Sequence, residues 1–243
     1  MALTDNLQAY WKLDESSGNA ADSHSTNTLT NNNSTAFAAA KINNGADLEE
    51  SSSQSLSIAD ASQTGLDLSG DLSFSLWFKA ESFNAGSERP LIAKRVGAGN
   101  QRSFHFKLGS AGVNIGLLWY TDGNTIGGNL SVVWSPSTAT WYHVVVTKSS
   151  TTVKFYVDGA QQGADQTGSN ATIYNGTAPF ELGAFADSPE YWDGLIDEVG
   201  VWSRALTDSE VSTLYNGGAG LSYPFSVASA SFSIPTLLTL NVG

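Results

Sequence analysis

The sequence of 243 residues has no cysteine, only 11 lysine and arginine residues, and no long apolar run. Without cysteine there is no disulfide framework, no thiolate nucleophile and no zinc site of the cysteine type. The 11 basic residues stand against 23 acidic ones, a net charge of −12, so the chain has no basic stripe for the phosphates of nucleic acid. No stretch approaches the roughly 18 apolar residues of a membrane span. We therefore predict neither nucleic acid nor a membrane as a partner.

Charged residues are also scarce, at 14%, whereas 41% of the residues are hydrophobic and 11% are aromatic. A chain with this aromatic content buries enough apolar surface to offset its ordering entropy, so we expect a folded protein. Residues 1–7 have neither a basic region nor an apolar core of the kind that a secretory signal needs. We therefore expect no secretory signal in this segment.

Short alternating runs separated by turn residues recur along the chain. Residues 72–78 alternate apolar and small polar side chains, and residues 141–147 and 153–157 are rich in β-branched and aromatic side chains. With the similar runs elsewhere the total is about eleven strands, which predicts an all-β fold of two packed antiparallel sheets. The other runs are residues 7–13, 54–58, 91–94, 104–108, 113–119, 130–134, 179–183 and 195–202.

One segment departs from this alternation. Thr207 and Glu210 have the spacing of a capping box, and apolar residues follow at helical intervals up to the glycines at 217 and 218. We predict one short helix over residues 207–216, the single helix of a domain that spans residues 1–220.

Residues 221–243 differ from this domain, because no charged residue occurs between Val211 and Gly243. Residues 226–243 alternate small polar and apolar side chains, and such an uncharged strand is an aggregation hazard unless it is paired. The segment either completes its own domain or adds to another subunit. In the second case the partner is another particle subunit or a second copy of the chain.

Three segments together carry a family pattern: an opening strand and turn, two central strands with a hairpin, and a closing strand followed by the helix. They are residues 7–23, residues 72–78 with 141–159, and residues 192–211. In this order and spacing they resemble the laminin G-like, concanavalin A-like lectin and glucanase superfamily. The resemblance implies a two-sheet antiparallel jelly-roll sandwich with a single cation site on its rim.

The resemblance also implies which residues contact the cation. Asp22, in the loop after the first strand, and Asp197, on the closing strand, match positions that contact calcium, and Asn27 is a candidate for a further amide oxygen. Ca²⁺ takes carboxylate, amide and backbone oxygens in an irregular shell. We therefore predict a structural calcium ion. The alternative is that Asp22 caps a turn and Asp197 bonds nearby backbone amides without a metal.

Glucanases of this fold carry a row of acidic residues on one strand, and the nearest candidates are Asp193, Asp197 and Glu198. On a strand Asp193 and Asp197 share a face roughly 13 Å apart, too far for the pair of about 5 Å in a retaining enzyme. Glu198 points to the other face. We therefore predict no enzymatic activity.

Aromatic residues beside polar turns are candidates for stacking on sugars, because a rigid scaffold positions its loops for binding. For Trp119 and Trp192 the alternative is packing in the core. The candidate glycan-binding residues are Trp119, Tyr120, Asp122, Asn124, Tyr191 and Trp192.

Three functions fit these features. We favour a non-enzymatic, lectin-like structural or adhesive protein on the surface of a bacteriophage virion, a decoration, fibre or tail adhesin that docks through residues 221–243 and contacts cell-surface polysaccharide. A virion protein is made in the host cytoplasm and needs no secretory signal. The alternatives are a carbohydrate-binding module of a secreted bacterial enzyme or adhesin, outside the cell or on its surface, and a glycoside hydrolase of the same fold.

Overall fold

The computed structural model describes residues 1–84 and 86–226. Over these residues the chain forms two large antiparallel sheets and one α-helix, which confirms the predicted all-β jelly-roll sandwich with a short helix. Of the predicted strand at residues 226–243, all but Ser226 lies outside the described residues, so its docking role stays a prediction.

The first sheet has nine strands in the order β13-β12-β11-β6-β18-β4-β3. Strand β1 also pairs with β18, beyond the point where β4 ends, and β14 pairs with the far end of β12. The strands are β1 (Leu7–Trp11), β3 (Ala36–Ala39), β4 (Asn44–Leu48), β6 (Leu72–Ala80), β11 (Trp141–Ser149), β12 (Thr152–Val157), β13 (Ala160–Gln161), β14 (Gln166–Thr167) and β18 (Gly194–Trp202).

The second sheet has seven strands in the order β10-β9-β8-β7-β15-β5-β2, and a separate hairpin, β16–β17, lies beside β7. The seven strands are β2 (Thr30–Asn32), β5 (Ser55–Ile58), β7 (Arg89–Val96), β8 (Gln101–Leu108), β9 (Ile115–Tyr120), β10 (Ile126–Val132) and β15 (Phe180–Leu182). The hairpin strands are β16 (Ala184–Phe185) and β17 (Ser188–Tyr191).

Helix α1 (Asp208–Tyr215) begins at the predicted capping box. Glu210 N–H donates to Thr207 Oγ1 at 3.3 Å, and Thr207 N–H donates to Glu210 Oε2 at 2.8 Å. Asn216 ends the helix in the left-handed conformation. The short 3₁₀ turns are Glu50–Ser52, Asp60–Ser62, Ala98–Asn100, Ser110–Gly112 and Asn216–Gly218.

The main core lies between the two sheets and follows from the period-two patterning. On β6, Leu72, Phe74, Leu76 and Phe78 all belong to this core, because alternate side chains of a strand point to the same face. The ring of Phe74 lies 5.2 Å from that of Phe104 on the opposite sheet. Each such buried side chain contributes about 1.5–3 kcal/mol.

A second apolar cluster covers the outer face of the nine-stranded sheet. Val211 and Leu214 of α1 pack there against Val145, Tyr156 and Trp202. The half-buried rings at 223 and 225 pack against the same cluster, so packing continues past residue 220, where we predicted the domain to end. This outer face is therefore closed by the helix and by residues 221–225.

Candidate functional site

The carboxylate of Asp22 is surrounded by N–H donors. Its Oδ1 accepts hydrogen bonds from the backbone N–H groups of Tyr10 at 3.0 Å, His24 at 2.9 Å and Ser25 at 3.0 Å. Its Oδ2 accepts from the backbone N–H of Asn27 at 3.1 Å and from Asn27 Nδ2 at 3.2 Å. Five donors fix the loop after β1 and direct the lone pairs of Asp22 to protein groups.

The other two predicted calcium ligands are also engaged by the protein. Asn27 Oδ1 accepts from the backbone N–H of Thr64 at 2.7 Å, and Asp197 Oδ2 accepts from the backbone N–H of Ile42 at 2.8 Å. Within residues 1–84 and 86–226, no group of three or more His, Asp or Glu side chains is placed to hold a metal ion. Asp197 Oδ1 is buried and has no hydrogen-bond partner within the described residues. The calcium ion and the metal-free alternative both stay predictions.

Asp197 and Glu198 form a buried acidic pair where β18 changes its partner from β4 to β1. A bulge here puts Glu198 at φ 51°, and Tyr10 OH donates to Glu198 Oε2 at 2.6 Å. Burial raises the pKa of Asp197 to about 8 and that of Glu198 to about 7. The pair is therefore largely protonated in mildly acidic solution and ionises near neutral pH.

The two tryptophans proposed to stack on sugars are fully buried. Trp119 shares the inward face of β9 with Leu117, and its Nε1–H donates to the backbone oxygen of Asn170 at 3.0 Å. The ring of Trp192 packs edge-on against Phe78 at 5.0 Å. The prediction that Trp119 and Trp192 contact glycan is wrong, because neither ring reaches the surface.

Of the four remaining candidates, three lie at the turn that follows β9, and the fourth lies on the β16–β17 hairpin. Asp122 caps its own turn, where the backbone N–H groups of Thr125 and Asn124 donate to it and lower the pKa of its carboxyl. Tyr120 is half-buried at the end of β9, and Tyr191 is half-buried on the β16–β17 hairpin. Asn124 is exposed.

A cavity that the sequence did not predict opens on the outer face of the seven-stranded sheet. Cross-strand pairing places Lys107, Gly116 and Ser131 in one row over β8, β9 and β10. The adjacent outward row on the same strands includes Asn129. Gly116 lies where β10 approaches β9 closely, since an added Cβ would lie 3.2 Å from Ser131 Cβ. This outer-face pit has a volume of about 210 Å³ and is lined by Glu88, Lys107, Gly109, Asn114, Gly116, Asn129 and Ser131.

The polar groups of the pit are of two kinds. Lys107 Nζ donates to Glu88 Oε1, and burial lowers the pKa of Lys107 to about 8. The side chains of Asn114, Asn129 and Ser131 make no hydrogen bond within the described part of the chain. The pit thus presents two amides and a hydroxyl beside an ion pair, all able to bond the hydroxyls of a ligand.

A second cavity, the helix groove, lies between the outer face of the nine-stranded sheet and the start of α1. It has a volume of about 500 Å³, and Tyr156 OH at its side donates to Asp208 Oδ1 at 2.7 Å. Its lining residues are Thr147, Ser149, Thr152, Lys154, Tyr156, Ala205, Leu206, Thr207, Asp208 and Ser209.

Comparison with known proteins assigns the family. A laminin G family model described as the concanavalin A-like lectin/glucanases superfamily matches residues 50–212. The chain belongs to the concanavalin A-like lectin/glucanase superfamily. This superfamily member is also 30% identical over 178 residues to adhesion G-protein coupled receptor D1 of Bos taurus, which covers 70% of the chain but only 18% of the receptor.

Two solved structures show the same fold. Domain 4 of AbnA, a GH43 extracellular arabinanase from Geobacillus stearothermophilus in complex with arabinotriose, superposes with a TM-score of 0.63 at 22% identity, covering 85% of this superfamily member and 97% of that chain. The binding domain of Paraclostridial mosquitocidal protein 1 gives a TM-score of 0.72 at 15% identity, covering 89% of the superfamily member and 53% of that chain. The fold is therefore that of lectin-like and carbohydrate-binding β-sandwiches. None of the helices in the described ranges has the length and apolar character to cross a membrane.

Proposed function

We propose that this chain is a glycan-binding module without enzymatic activity, and that the glycan binds in the outer-face pit. The observation that carries the proposal is the set of three uncommitted polar side chains in its lining, Asn114, Asn129 and Ser131. The arabinanase domain, which was solved with arabinotriose, supports carbohydrate as the ligand class.

The chemistry of the pit suits one sugar ring. Asn114 and Asn129 each offer an N–H₂ donor and a carbonyl acceptor, which matches the paired hydroxyls of a sugar. Glu88 and Lys107 extend the row with charge-assisted bonds, which are stronger than neutral ones. At Gly116 an added Cβ would lie 3.0 Å from the backbone oxygen of Leu130, so strand β10 approaches β9 closely here and a larger side chain does not fit.

The test is to block the pit with one large side chain. Ser131→Tyr places a ring at the exposed edge of the pit, and we expect the affinity for a bound polysaccharide to fall at least about tenfold. The matched control is Ser209→Tyr, the same substitution at an exposed position of the helix groove on the opposite sheet. Affinity electrophoresis against a panel of plant and bacterial polysaccharides measures both variants, with circular dichroism to confirm folding.

The two variants distinguish the two cavities. Loss of binding in Ser209→Tyr with unchanged binding in Ser131→Tyr would transfer the site to the helix groove and overturn our assignment. Hydrolysis of any polysaccharide in the panel, measured as the release of reducing ends, would contradict the proposed absence of enzymatic activity.

We further propose that glycan binding does not require calcium. A cation at Asp22 would have to displace the five N–H donors that hold its carboxylate. We therefore expect the affinity for glycan and the melting temperature to be the same in about 1 mM calcium as in excess chelator. A rise in melting temperature with calcium would restore the ion predicted from the sequence.

The setting on a virion surface stays a prediction, as does the alternative of a secreted enzyme or adhesin. Both use the same glycan-binding module and differ in what residues 226–243 contact. The truncation described in the Discussion tests whether this segment mediates assembly.

A further inference from the structure

The outer-face pit has a single cation, and that cation is already paired. Lys107 Nζ bonds Glu88 Oε1, and the remaining lining residues are two amides, a hydroxyl and two glycines. A ligand carboxylate would have to compete with Glu88 for this one ammonium group. Half-buried Glu88 would then lose its partner in a partly desolvated position, which costs free energy.

A second carboxylate lies beside the first. Glu190 Oε1, on the β16–β17 hairpin, accepts a hydrogen bond from the backbone N–H of Glu88 at 3.2 Å, and Ser188 Oγ donates to Glu190 Oε2 at 2.7 Å. Glu190 lies outside the lining of the pit, and its charge acts on Lys107, so two carboxylates lie near one ammonium group. The chain as a whole, at a net charge of −12, adds a longer-range repulsion of anions.

We infer that the outer-face pit selects neutral glycans and rejects anionic ones such as uronic or sialic acid chains, with Glu88 and Glu190 as the rejecting groups. This inference rests on the proposed function and adds the class of sugar. Neutral hydroxyls bond the amides and the ion pair without disturbing it. An anionic sugar meets unfavourable like charges, and repulsion of this kind is a common source of specificity.

The experiment compares polysaccharides that differ mainly in charge. One comparison uses anionic, de-esterified polygalacturonate and its neutral, fully methyl-esterified form, which share one backbone. A second comparison uses four neutral polymers, arabinan, galactan, xylan and mannan, and three anionic ones, alginate, hyaluronan and polysialic acid. Affinities are measured at about 0.15 M salt, where the screening length is roughly 8 Å and distant charges contribute little. We expect the wild-type chain to bind at least one neutral polymer at least about tenfold more tightly than any anionic one.

Variants then separate the local carboxylates from the total charge. Glu190→Gln keeps the Glu88–Lys107 pair, and the double variant Glu88→Gln/Glu190→Gln removes both carboxylates. We expect the preference for neutral polymers to shrink about threefold or more in each variant. The matched control, Asp5→Asn/Asp208→Asn, changes the net charge by the same two units at exposed positions on the side of the nine-stranded sheet, and its preference should equal that of the wild type.

Each outcome is decisive. Equal or tighter binding of anionic polymers by the wild-type chain overturns the inference but leaves the proposed function standing. An equal change in preference in the Asp5/Asp208 control assigns the effect to net charge and also overturns the role of Glu88 and Glu190. Absence of binding to every polymer, neutral or anionic, overturns the proposed function and the inference with it.

Discussion

At the scale of single residues, a fully buried lysine joins two loops to a strand. Lys94 Nζ bonds Asp60 Oδ1 at 2.6 Å, lies 3.3 Å from Asp67 Oδ1, and donates to the backbone oxygens of Gly176 and Ala178. A buried ammonium is tolerated only when it is paired and hydrogen-bonded, and here both conditions are met. Lys94 therefore anchors the loops after β5 and before β15 to strand β7.

The stability of the sandwich should depend on this one amine. Lys94→Met keeps the apolar stem but leaves two carbonyls and two carboxylates without their donor, so we expect a loss of about 3 kcal/mol in unfolding free energy. The matched control is Lys154→Met, whose amine is partly exposed and lies 3.7 Å from Asp208, with an expected change under about 1 kcal/mol. Urea unfolding followed by tryptophan fluorescence measures both. Equal losses in the two variants would contradict the anchoring role.

The buried acidic pair makes stability depend on pH, and the sign follows from the direction of the shifts. Burial raises the pKa of Asp197 from 3.8 to about 8 and that of Glu198 from 4.5 to about 7, so the folded state binds more protons than the unfolded state between these values. The contribution of these two carboxyl groups to the free energy of unfolding is full below about pH 4, and it is lost as the pH rises through about 7 to 8. Burial lowers the pKa of His143 to about 3, which opposes this trend only below about pH 6.5.

We therefore expect the melting temperature to fall between about pH 6.5 and about pH 7.5. At higher pH Lys107 and Lys148, whose pKa values burial lowers to about 8, oppose the trend. Each raised carboxyl contributes up to about 1.4 kcal/mol per pH unit between its unfolded and folded pKa. Glu198→Gln mimics the protonated form and should make the fall shallower. Asp122→Asn is the control, because hydrogen bonds from Thr125 and Asn124 lower the pKa of Asp122 and keep it ionised throughout this range. A slope in Glu198→Gln as steep as in the wild type would refute the assignment.

At the scale of secondary structure elements, helix α1 is held at its first turn by one glutamate with two tasks. Glu210 closes the capping box with Thr207, and its carboxylate accepts two parallel bonds from Arg204, at 2.8 Å and 2.7 Å. Arg204 Nε and Nη2 also donate to the backbone oxygens of Asp5 and Ala2. The start of the helix and the first residues of the chain are thus fixed by a single ion pair.

Thr207→Ala removes the side chain that caps the helix and leaves the N–H of Glu210 without its acceptor. We expect a loss of about 1 kcal/mol in unfolding free energy, the usual cost of a lost threonine cap. Thr213→Ala, at an exposed position within the same helix, is the control and should change the free energy by less than about 0.5 kcal/mol. Chemical denaturation of both variants measures the difference, and equal effects would argue against the cap.

How far the sequence predicts each element depends on how large its apolar side chains are. The eleven predicted runs all coincide with strands, because large residues at every second position determine which face is buried. Strands β3 and β4 escaped prediction since their sequences, AFAA and NGADL, have few large side chains. The two-residue strands β13 and β14 are too short to show any period.

The candidate site was predicted less well, for a geometric reason. The lining of the outer-face pit includes Lys107, Gly116 and Ser131 on neighbouring strands, and this register is a property of the pairing that composition does not reveal. The one signal in the sequence is a glycine inside a strand, which marks a site where another group approaches the backbone. Trp119 was misassigned because its place beside a polar turn outweighed its place on the inward face of β9.

At the scale of the whole molecule, the folded body extends beyond the boundary that composition suggests. Phe225 lies 5.1 Å from the ring of Tyr10 and 6.3 Å from that of Trp202, and the hydroxyl of Tyr10 lies 3.3 Å from the backbone oxygen of Leu221. Residues 221–225 thus complete the cluster on the outer face of the nine-stranded sheet.

Two truncations should therefore behave differently. A chain of residues 1–226 keeps these contacts and should match the full chain in unfolding free energy. A chain of residues 1–220 exposes Tyr10 and Trp202 and should lose about 3 kcal/mol, given about 1.5–3 kcal/mol for each fully buried large side chain. Thermal unfolding followed by circular dichroism measures both, and equal stability of the two truncations would contradict the packing role.

The same pair of proteins tests the assembly predicted from the sequence. If residues 226–243 dock on another subunit, the full chain should elute as an assembly from a size-exclusion column, and residues 1–226 should elute as a folded monomer. A full chain that is monomeric would contradict docking onto a second copy. A 1–226 chain with much lower stability would instead indicate that the segment completes its own domain.

The first residues of the chain and residues 224–225 meet on the sheet opposite the pit. Ala2, Leu3 and Thr4 share a small cavity with Pro224 and Phe225, and Trp202 Nε1–H fixes the backbone oxygen of Leu3 at 2.7 Å. In the chain of residues 1–226, a brief linker could join the two ends with little loop-closure entropy, because these segments share one cavity. The sandwich is therefore well suited to circular permutation, with new termini opened in the exposed turn at residues 122–125. In tandem fusions, the linkers would lie on the side of the nine-stranded sheet, and the seven-stranded sheet of each copy would stay free of them.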